Sequence, residues 1–423
     1  MMKLVEQHIF YKSNKRFKSL DDICFLSKNL YNVALYNIKN HFDLNGKWLR
    51  YNELEKELRT NSNIDYNALP NNSSQQILML LDTNLKSYFK GLKAFKKSKT
   101  SFSGCPKFPN YKHKTKGRNI VIFTANQFRF KDNYIYFPKK SNLLPIKTKL
   151  DLDTKIQQVR IVPRNSYYVV EVVYNYNEII KENLNNDYLS IDIGVNNLAA
   201  CVTTKGDRPF IINGKPLKSI NQYYNKKRAE YQSKLGYYIN KKGEKQQFSK
   251  SKKIDKLTNK RNNKINDYLH KSSKMIINYC KKNQIDNLVL GKNDGWKSEV
   301  NMDKKNNQNF VLIPFNRFES YLSYKSIKEG IKFLCREESY TSKASSLNLD
   351  YIPDYGVKYE TKHKFSGYRL IRGLYKIRGR KVFINADING SINILRKEIG
   401  DEWLKPILLN RGFVVNPLKV LPL

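Results

Sequence analysis

Residues 188–195 read YLSIDIGV. The run is short, apolar and β-branched, and it reads as a strand. From this point onward the pattern becomes α/β. One residue does not belong to that pattern. Asp192 sits inside the apolar run, where an unpaired carboxylate costs on the order of several kcal/mol to bury. Such an acid is either paired with a lysine or placed there for chemistry.

Downstream, LAACVTT and RPFII flank KGD as a hairpin. Residues 216–282 read as long, Lys-dense helix, with YYNKKRAEYQSKL and KSKKIDKLTNKRNNK. IDNLVL (285–290) is a buried strand, FNRFESYLSYKSIKEG a helix stopped by Gly330, and IKFLCREE (331–338) another strand. A loop-rich insertion fills 341–384. Asp387 then opens a helix with Ile388, Ile392 and Leu395 on one face.

Upstream, KLVEQHIFYKS reads as one strand. Ser19 precedes Asp22 by three residues, a capping-box spacing, and Ile23, Leu26, Leu30 and Val33 follow at helical intervals. Ser73 and Gln76 repeat the cap ahead of Leu78, Leu81, Leu85 and Leu92. Residues 18 to about 97 are thus a helical module, ending in GLKAFKKSKT. SFSGCPKFPNYKHKTKGR (101–118) interleaves basic and aromatic residues in a loop, as a nucleic-acid contact or a merely solvated loop would. β-rich runs with turns at KDN and PRN make 101–180 a small sheet or barrel, and KENLNND (181–187) a polar linker. The fold class is multidomain α+β.

Lys and Arg number 78 against 37 Asp and Glu, a net charge of +41. Repulsion on that scale destabilises a compact chain unless a polyanion or counterions screen it, so nucleic acid is the expected partner. A basic membrane-surface protein is the rival; no long apolar stretch or signal-peptide pattern supports it. Cys24, Cys105, Cys201, Cys280 and Cys335 are far apart, form no CxxC half-site for zinc, and read as reduced cytoplasmic thiols.

Cutting a phosphodiester in water requires an activated water and a shield for the developing charge. Two divalent metals held by carboxylates supply both. The signature is a set of acids far apart in sequence but at neighbouring strand and helix ends. Asp192 is one candidate. Asp387 is a second, although Asp is also an ordinary helix N-cap. A third should end the strand beside Asp192, yet IDNLVL ends in Gly291, with Asp294 and Glu299 further on. The next strand ends in Glu337 and Glu338 within CREESYTSK (335–343). A carboxylate from there could reach over the glycine, which has no side chain to obstruct it. Alternation puts Glu337 on the face of Phe333 and Cys335 and Glu338 on that of Leu334, and does not choose between them. A solvated strand end is the competing reading.

IDIGVNNLAA, NGKPLKSINQYY, QNFVLIPF, EESYTSKAS and INADINGSINILRK occur in this order. Together they resemble TnpB, the transposon-encoded RNA-guided DNA endonuclease family related to type V CRISPR effectors. The resemblance covers about 188–398, and GCPKFP resembles a wedge motif of the same family. It implies a RuvC domain of ribonuclease H-like fold, a wedge β-module and an inserted helical recognition domain. The implied boundaries are 1–17 and 101–182 for the wedge and 18–100 for recognition. They are 183–340 and 385–423 for RuvC, with a Lys-rich insertion at 216–282 and a target-nucleic-acid-binding-like loop at 341–384.

By matching motifs, Asp192 takes the place of the family's first catalytic aspartate and Asp387 that of its third acid. The usual middle acid is replaced by Gly291. The glutamate before the small residue of the Ser-Tyr-Thr-Ser motif matches Glu338, with Glu337 as backup. The implied cofactors are two Mg²⁺ ions, held by Asp192, Glu338 and Asp387, and a guide RNA. Zinc is not expected, because 341–384 lacks the family's cysteine pairs; Tyr351, Tyr355, Tyr359 and Phe365 are the candidates to hold that loop together. The implied partners are a transposon-end guide RNA and double-stranded target DNA. The protein is expected to be monomeric and cytoplasmic, in a prokaryotic host. Gly291 also suits a nuclease-inactive, RNA-guided repressor, and a nuclease that uses no guide is a further alternative.

Overall fold

Residues 2–179, 185–239, 243–249, 251–292, 311–354, 364–371, 373–408 and 416–422 are described by a computed structural model. The chain divides into two units, Met1–Asn177 and Glu178–Leu423. Asp294, Glu299, Tyr355 and Tyr359 lie outside the described residues. No helix among the described residues is long and apolar enough to cross a membrane.

In the first unit, β1 (Met2–Tyr11) is followed by α1 (Phe17–Asn45), α2 (Tyr51–Thr60), α3 (Ile64–Asn67) and α4 (Asn71–Lys97). The strands β2 (Val121–Thr124), β3 (Arg129–Lys131), β4 (Tyr134–Tyr136), β5 (Ile146–Lys147), β6 (Ile156–Pro163) and β7 (Tyr167–Tyr176) complete it. A four-stranded sheet has the order β1-β7-β6-β2, and β3-β4-β5 form a small second one. Asp132 and Asn133, at φ 50° and 58°, join β3 to β4 as a two-residue hairpin loop.

Both expected capping boxes are displaced. α1 starts at Phe17, because Asn14 turns the chain into the helix by accepting from the Arg16 and Phe17 amides. Ser19 is already inside, donating back to the Arg16 carbonyl. α4 starts directly after Pro70, whose fixed φ of −57° suits a helix entry, so Ser73 lies in its first turn. The loop expected at 101–118 runs along α1. Asn32 brackets Lys112 by bonding both its N–H and its carbonyl, and Lys28 Nζ donates to the Lys114 carbonyl at 2.6 Å.

In the second unit, β8 (Tyr188–Ile193), β9 (Asn197–Thr203) and β10 (Phe210–Asn213) precede α5 (Lys215–Ser233). A short ribbon, β11 (Tyr237–Ile239) and β12 (Lys245–Gln247), separates α5 from α6 (Lys252–Lys282), so 216–282 is not wholly helical. There follow β13 (Asn287–Gly291), α7 (Phe315–Lys328) and β14 (Lys332–Arg336). Next come β15 (Gly367–Ile371), β16 (Leu374–Ile377), β17 (Phe383–Asn385), α8 (Ala386–Ile399), α9 (Leu404–Leu408) and β18 (Leu418–Val420). The main sheet has the order β14-β13-β8-β9-β10-β18, with β14, β13 and β8 parallel.

Alternation sorts the two faces of this sheet. Leu189, Ile191, Ile193, Leu288 and Leu290 pack with the Ile265, Leu269, Phe318 and Leu322 layer of α6 and α7. Val289, Ala200 and Leu334 pack with Ile388, Ile392 and Leu395 of α8. The region expected to be loop-rich, 341–384, contains the three-stranded sheet β15-β16-β17 where its strands are described.

Candidate functional site

Ser190 and Asp192 have the parity opposite to the leucine and isoleucines of β8, which turns them toward α8. The approach is close. Ser190 Oγ donates to the Ser391 carbonyl at 2.8 Å, and a Cβ on Gly390 would stand 2.5 Å from Asp192 Oδ2. The Asp192 carboxylate therefore occupies the notch that Gly390 leaves in the helix. The one positive charge that acts on Asp192 among the described residues is that of Arg369, not a lysine.

Asp387 is not the cap of its helix. Asn385 fills that role, its Oδ1 accepting from the amides of Asp387 (3.0 Å) and Ile388 (3.2 Å). This frees the Asp387 carboxylate. Asn197 Nδ2 donates to its Oδ2 at 2.6 Å and Arg369 Nη2 to its Oδ1 at 3.2 Å.

β14 ends at Arg336, level with Gly291 of β13. Two residues on, Glu338 Oε2 lies 2.8 Å from where a Cβ on Gly291 would be. Glu337 leaves in another direction: its Oε2 pairs with Lys397 Nζ at 2.5 Å and its Oε1 accepts from the Ser339 amide at 2.6 Å. Asp192, Glu338 and Asp387, with Asn197 and Arg369, line one cavity of about 840 Å³; Glu337 does not.

Burial pushes the Asp192 carboxyl well above the ordinary carboxylate range, and the charges of Glu338 and Asp387 push it further while Arg369 opposes them. Burial, with the Glu337 charge, raises Glu338 to about 7. Glu337 is itself partly buried, but its bonds from Lys397 and Ser339 outweigh that and hold it below its ordinary value. The cavity thus gathers three carboxylates, and Arg369 pairs with one of them, Asp387. An all-oxygen donor set of this kind fits a hard divalent cation. As the side chains stand, no three His, Cys, Asp or Glu among the described residues converge tightly enough to hold one.

Side chains of α8 hold the segment after Glu338. Asn393 Nδ2 donates to the Thr341 and Ala344 carbonyls, both at 2.8 Å, and Arg396 to the Asp350 carbonyl at 2.9 Å. Tyr351 is 67% exposed, and the Phe365 ring lies 6.4 Å from that of Tyr340. Asn197, Arg369, Gly390 and Lys397 were not singled out by sequence. Gly390 alone left a trace there, as a glycine inside an apolar helix.

Two family models match. The OrfB_IS605 family, described as a probable transposase, covers residues 171–297, and the Cas12f1-like TNB domain covers 315–394. No curated protein matches the sequence. Among solved structures, a Cas12f1–sgRNA–target DNA complex aligns at 15% identity over 94% of this chain and 100% of that one, with a TM-score of 0.35. The mini-RNA-guided endonuclease CRISPR-Cas-phi3 aligns at 10% identity over 93% and 92%, with a TM-score of 0.41. Asp192 and Gly291 fall in the first matched segment, Glu338 and Asp387 in the second. These two family matches support a TnpB-like family for the chain.

Proposed function

We propose that this protein is a transposon-encoded, RNA-guided DNA endonuclease whose cutting site is the cavity around Asp192, Glu338 and Asp387. The observation that carries this reading is the seating of Glu338 over Gly291, beside the strand that bears Asp192. A carboxylate arriving from β14 stands where a side chain of β13 would otherwise stand, which accounts for the missing acid. We read the second unit as a RuvC nuclease domain of ribonuclease H-like fold, at 183–340 and 385–423, with the target-nucleic-acid-binding-like insertion at 341–384. We read 1–17 and 101–182 as wedge and 18–100 as recognition domain.

Asp192, Glu338 and Asp387 would hold two Mg²⁺ ions, which supply an activated water and shield the charge developing on the phosphate. Asn197 fixes the orientation of the Asp387 carboxylate. Arg369, 45% exposed on its side chain, faces both Asp387 and the cavity and is placed to meet an incoming phosphate. The Lys-rich α5 and α6 bind nucleic-acid backbone by charge, and guide pairing supplies most of the sequence choice.

The test is cleavage of target plasmid by protein loaded with its co-purifying RNA, in Mg²⁺ and in EDTA. Asp192→Ala and Asp387→Ala should bind RNA normally and leave the DNA intact. Full Mg²⁺-dependent cleavage by either variant would remove that residue from the site. A wild-type protein that binds guide and target without cutting would establish the repressor reading instead. A random mixture of co-purifying RNA fragments would argue against guiding.

A further inference from the structure

A second cavity, of about 300 Å³, opens between α5 and α6 on the sheet's other helical layer. Its walls combine two kinds of surface. Ile220, Leu257 and the ring of Tyr223 are apolar, whereas Lys260, Arg261 and Lys264 bring positive charge; among the described residues no carboxylate lines it.

The floor is built rather than loose. Arg261 is held by three bonds, from Nε to Asn221 Oδ1 (2.8 Å), from Nη1 to Asn262 Oδ1 (2.9 Å) and from Nη2 to the Leu312 carbonyl (2.7 Å). Its guanidinium also lies over the Tyr224 ring at 5.5 Å. Asn221 is wholly buried, and its Nδ2 has no hydrogen-bond partner among the described residues. Above this floor Tyr223 is 59% exposed, an aromatic face with one side open. Lys252, Lys256, Lys260 and Lys264 are all exposed and recur every four residues along α6, about 6 Å of rise apart. They make a cationic strip that passes the cavity mouth.

A planar apolar wall, cations at the rim and no acid are the complement of a nucleobase joined to a phosphate chain. We propose that this cavity is a subsite for one unpaired nucleotide, its base stacked on Tyr223 and its flanking phosphates on Lys256, Lys260 and Lys264. The inference rests on the nucleic-acid-binding reading above and adds a discrete, single-nucleotide site to it.

The experiment compares wild type, Tyr223→Ala, Tyr223→Trp, Lys260→Ala and Lys264→Ala for binding to guide RNA alone and then to target DNA by the RNA-loaded protein, across a salt series. Tyr223 is exposed, and a melting curve identical to wild type verifies that the alanine variant folds. Loss of the stacking face should weaken binding about 5- to 150-fold with an unchanged salt slope. Tyr223→Trp should restore it. Each lysine variant should reduce the slope by about 0.7 for a single strand. A loss seen with RNA alone assigns the nucleotide to the guide, and a loss seen only on adding target assigns it to the DNA. Tight wild-type binding with an indifferent Tyr223→Ala in both arms overturns the subsite alone. Wild-type protein that binds neither nucleic acid overturns the parent reading with it.

Discussion

Oε2 of Glu338 lies 2.8 Å from the point at which Gly291 would carry a Cβ. The two residues share one volume, and either the glycine or the carboxylate can have it. Gly291→Ala should therefore act on Glu338. The added methyl would also meet Ile394 Cδ1 at 2.3 Å. Both obstacles are ends of flexible side chains, so the protein should fold, with about 1–3 kcal/mol lost to overpacking. The displaced carboxylate should abolish most Mg²⁺-dependent cleavage while RNA binding persists. Thermal melting and plasmid cleavage check the two halves separately; wild-type cleavage would remove Glu338 from the site.

The adjacent glutamates should separate cleanly on substitution. Glu338→Gln removes a carboxylate that burial disfavours, so it should stop cutting without lowering the melting temperature. Glu337→Gln should cut normally but melt earlier. It strips the charge facing Lys397, whose side chain is only 3% exposed and keeps Asp354, at 3.4 Å, and the Ser339 carbonyl, at 3.2 Å. A cost of about 1–2 kcal/mol is expected for weakening that pair. The opposite pattern, with Glu337→Gln inactive and Glu338→Gln active, would exchange the two roles.

The raised carboxyls give the site a pH signature. An acid whose pKa is higher folded than unfolded carries more protons when folded between the two values, so stability falls as pH rises through that window. For Glu338 the window runs from its ordinary 4.5 to about 7, and Asp192 contributes with the same sign. In EDTA, wild type should lose melting temperature relative to an Asp192→Asn, Glu338→Gln double variant as pH rises from about 4.5 to 7. Mg²⁺ should act in reverse, since binding requires deprotonated carboxylates, and stabilise wild type more at pH 8 than at pH 5.5. A Mg²⁺-induced shift independent of pH would contradict the raised values.

What could be read from sequence follows from how local each signal is. YLSIDIGV and IDNLVL are legible because parallel strands covered on both faces are continuous apolar runs, and Asp192 is legible as the charge that breaks one. The choice between Glu337 and Glu338 was not local. β14 stops at Arg336, so alternation has no strand left to act on, and the residue that draws Glu337 aside, Lys397, lies far along the chain. The helix starts were misplaced for a similar reason. Ser19 and Ser73 have the right spacing, but Asn14 and Pro70 had already begun those helices. The tie from Arg369 to Asp387 depends on how β15 meets the start of α8, which no spacing encodes.

Asn197 offers the sharpest probe of positioning as distinct from ligation. It carries no charge, and its amide donates the 2.6 Å bond that holds one oxygen of Asp387 while Arg369 holds the other. Asn197→Ala leaves Asp387 tethered on one side only, by an exposed arginine whose pairing is worth little in water. The carboxylate should then sample other rotamers. Partners of this kind typically change metal affinity or activity by about 10- to 100-fold. Cleavage by Asn197→Ala should fall within that range, and the Mg²⁺ concentration for half-maximal rate should rise. Guide binding should stay at the wild-type level, because the cavity lies apart from the lysine strip on α6. Asn197→Asp should be worse than alanine, since it sets a second carboxylate against Oδ2 of Asp387 and replaces a bond with repulsion. If both variants cut at the wild-type rate with an unshifted Mg²⁺ requirement, Asp387 does not depend on Asn197 for its orientation.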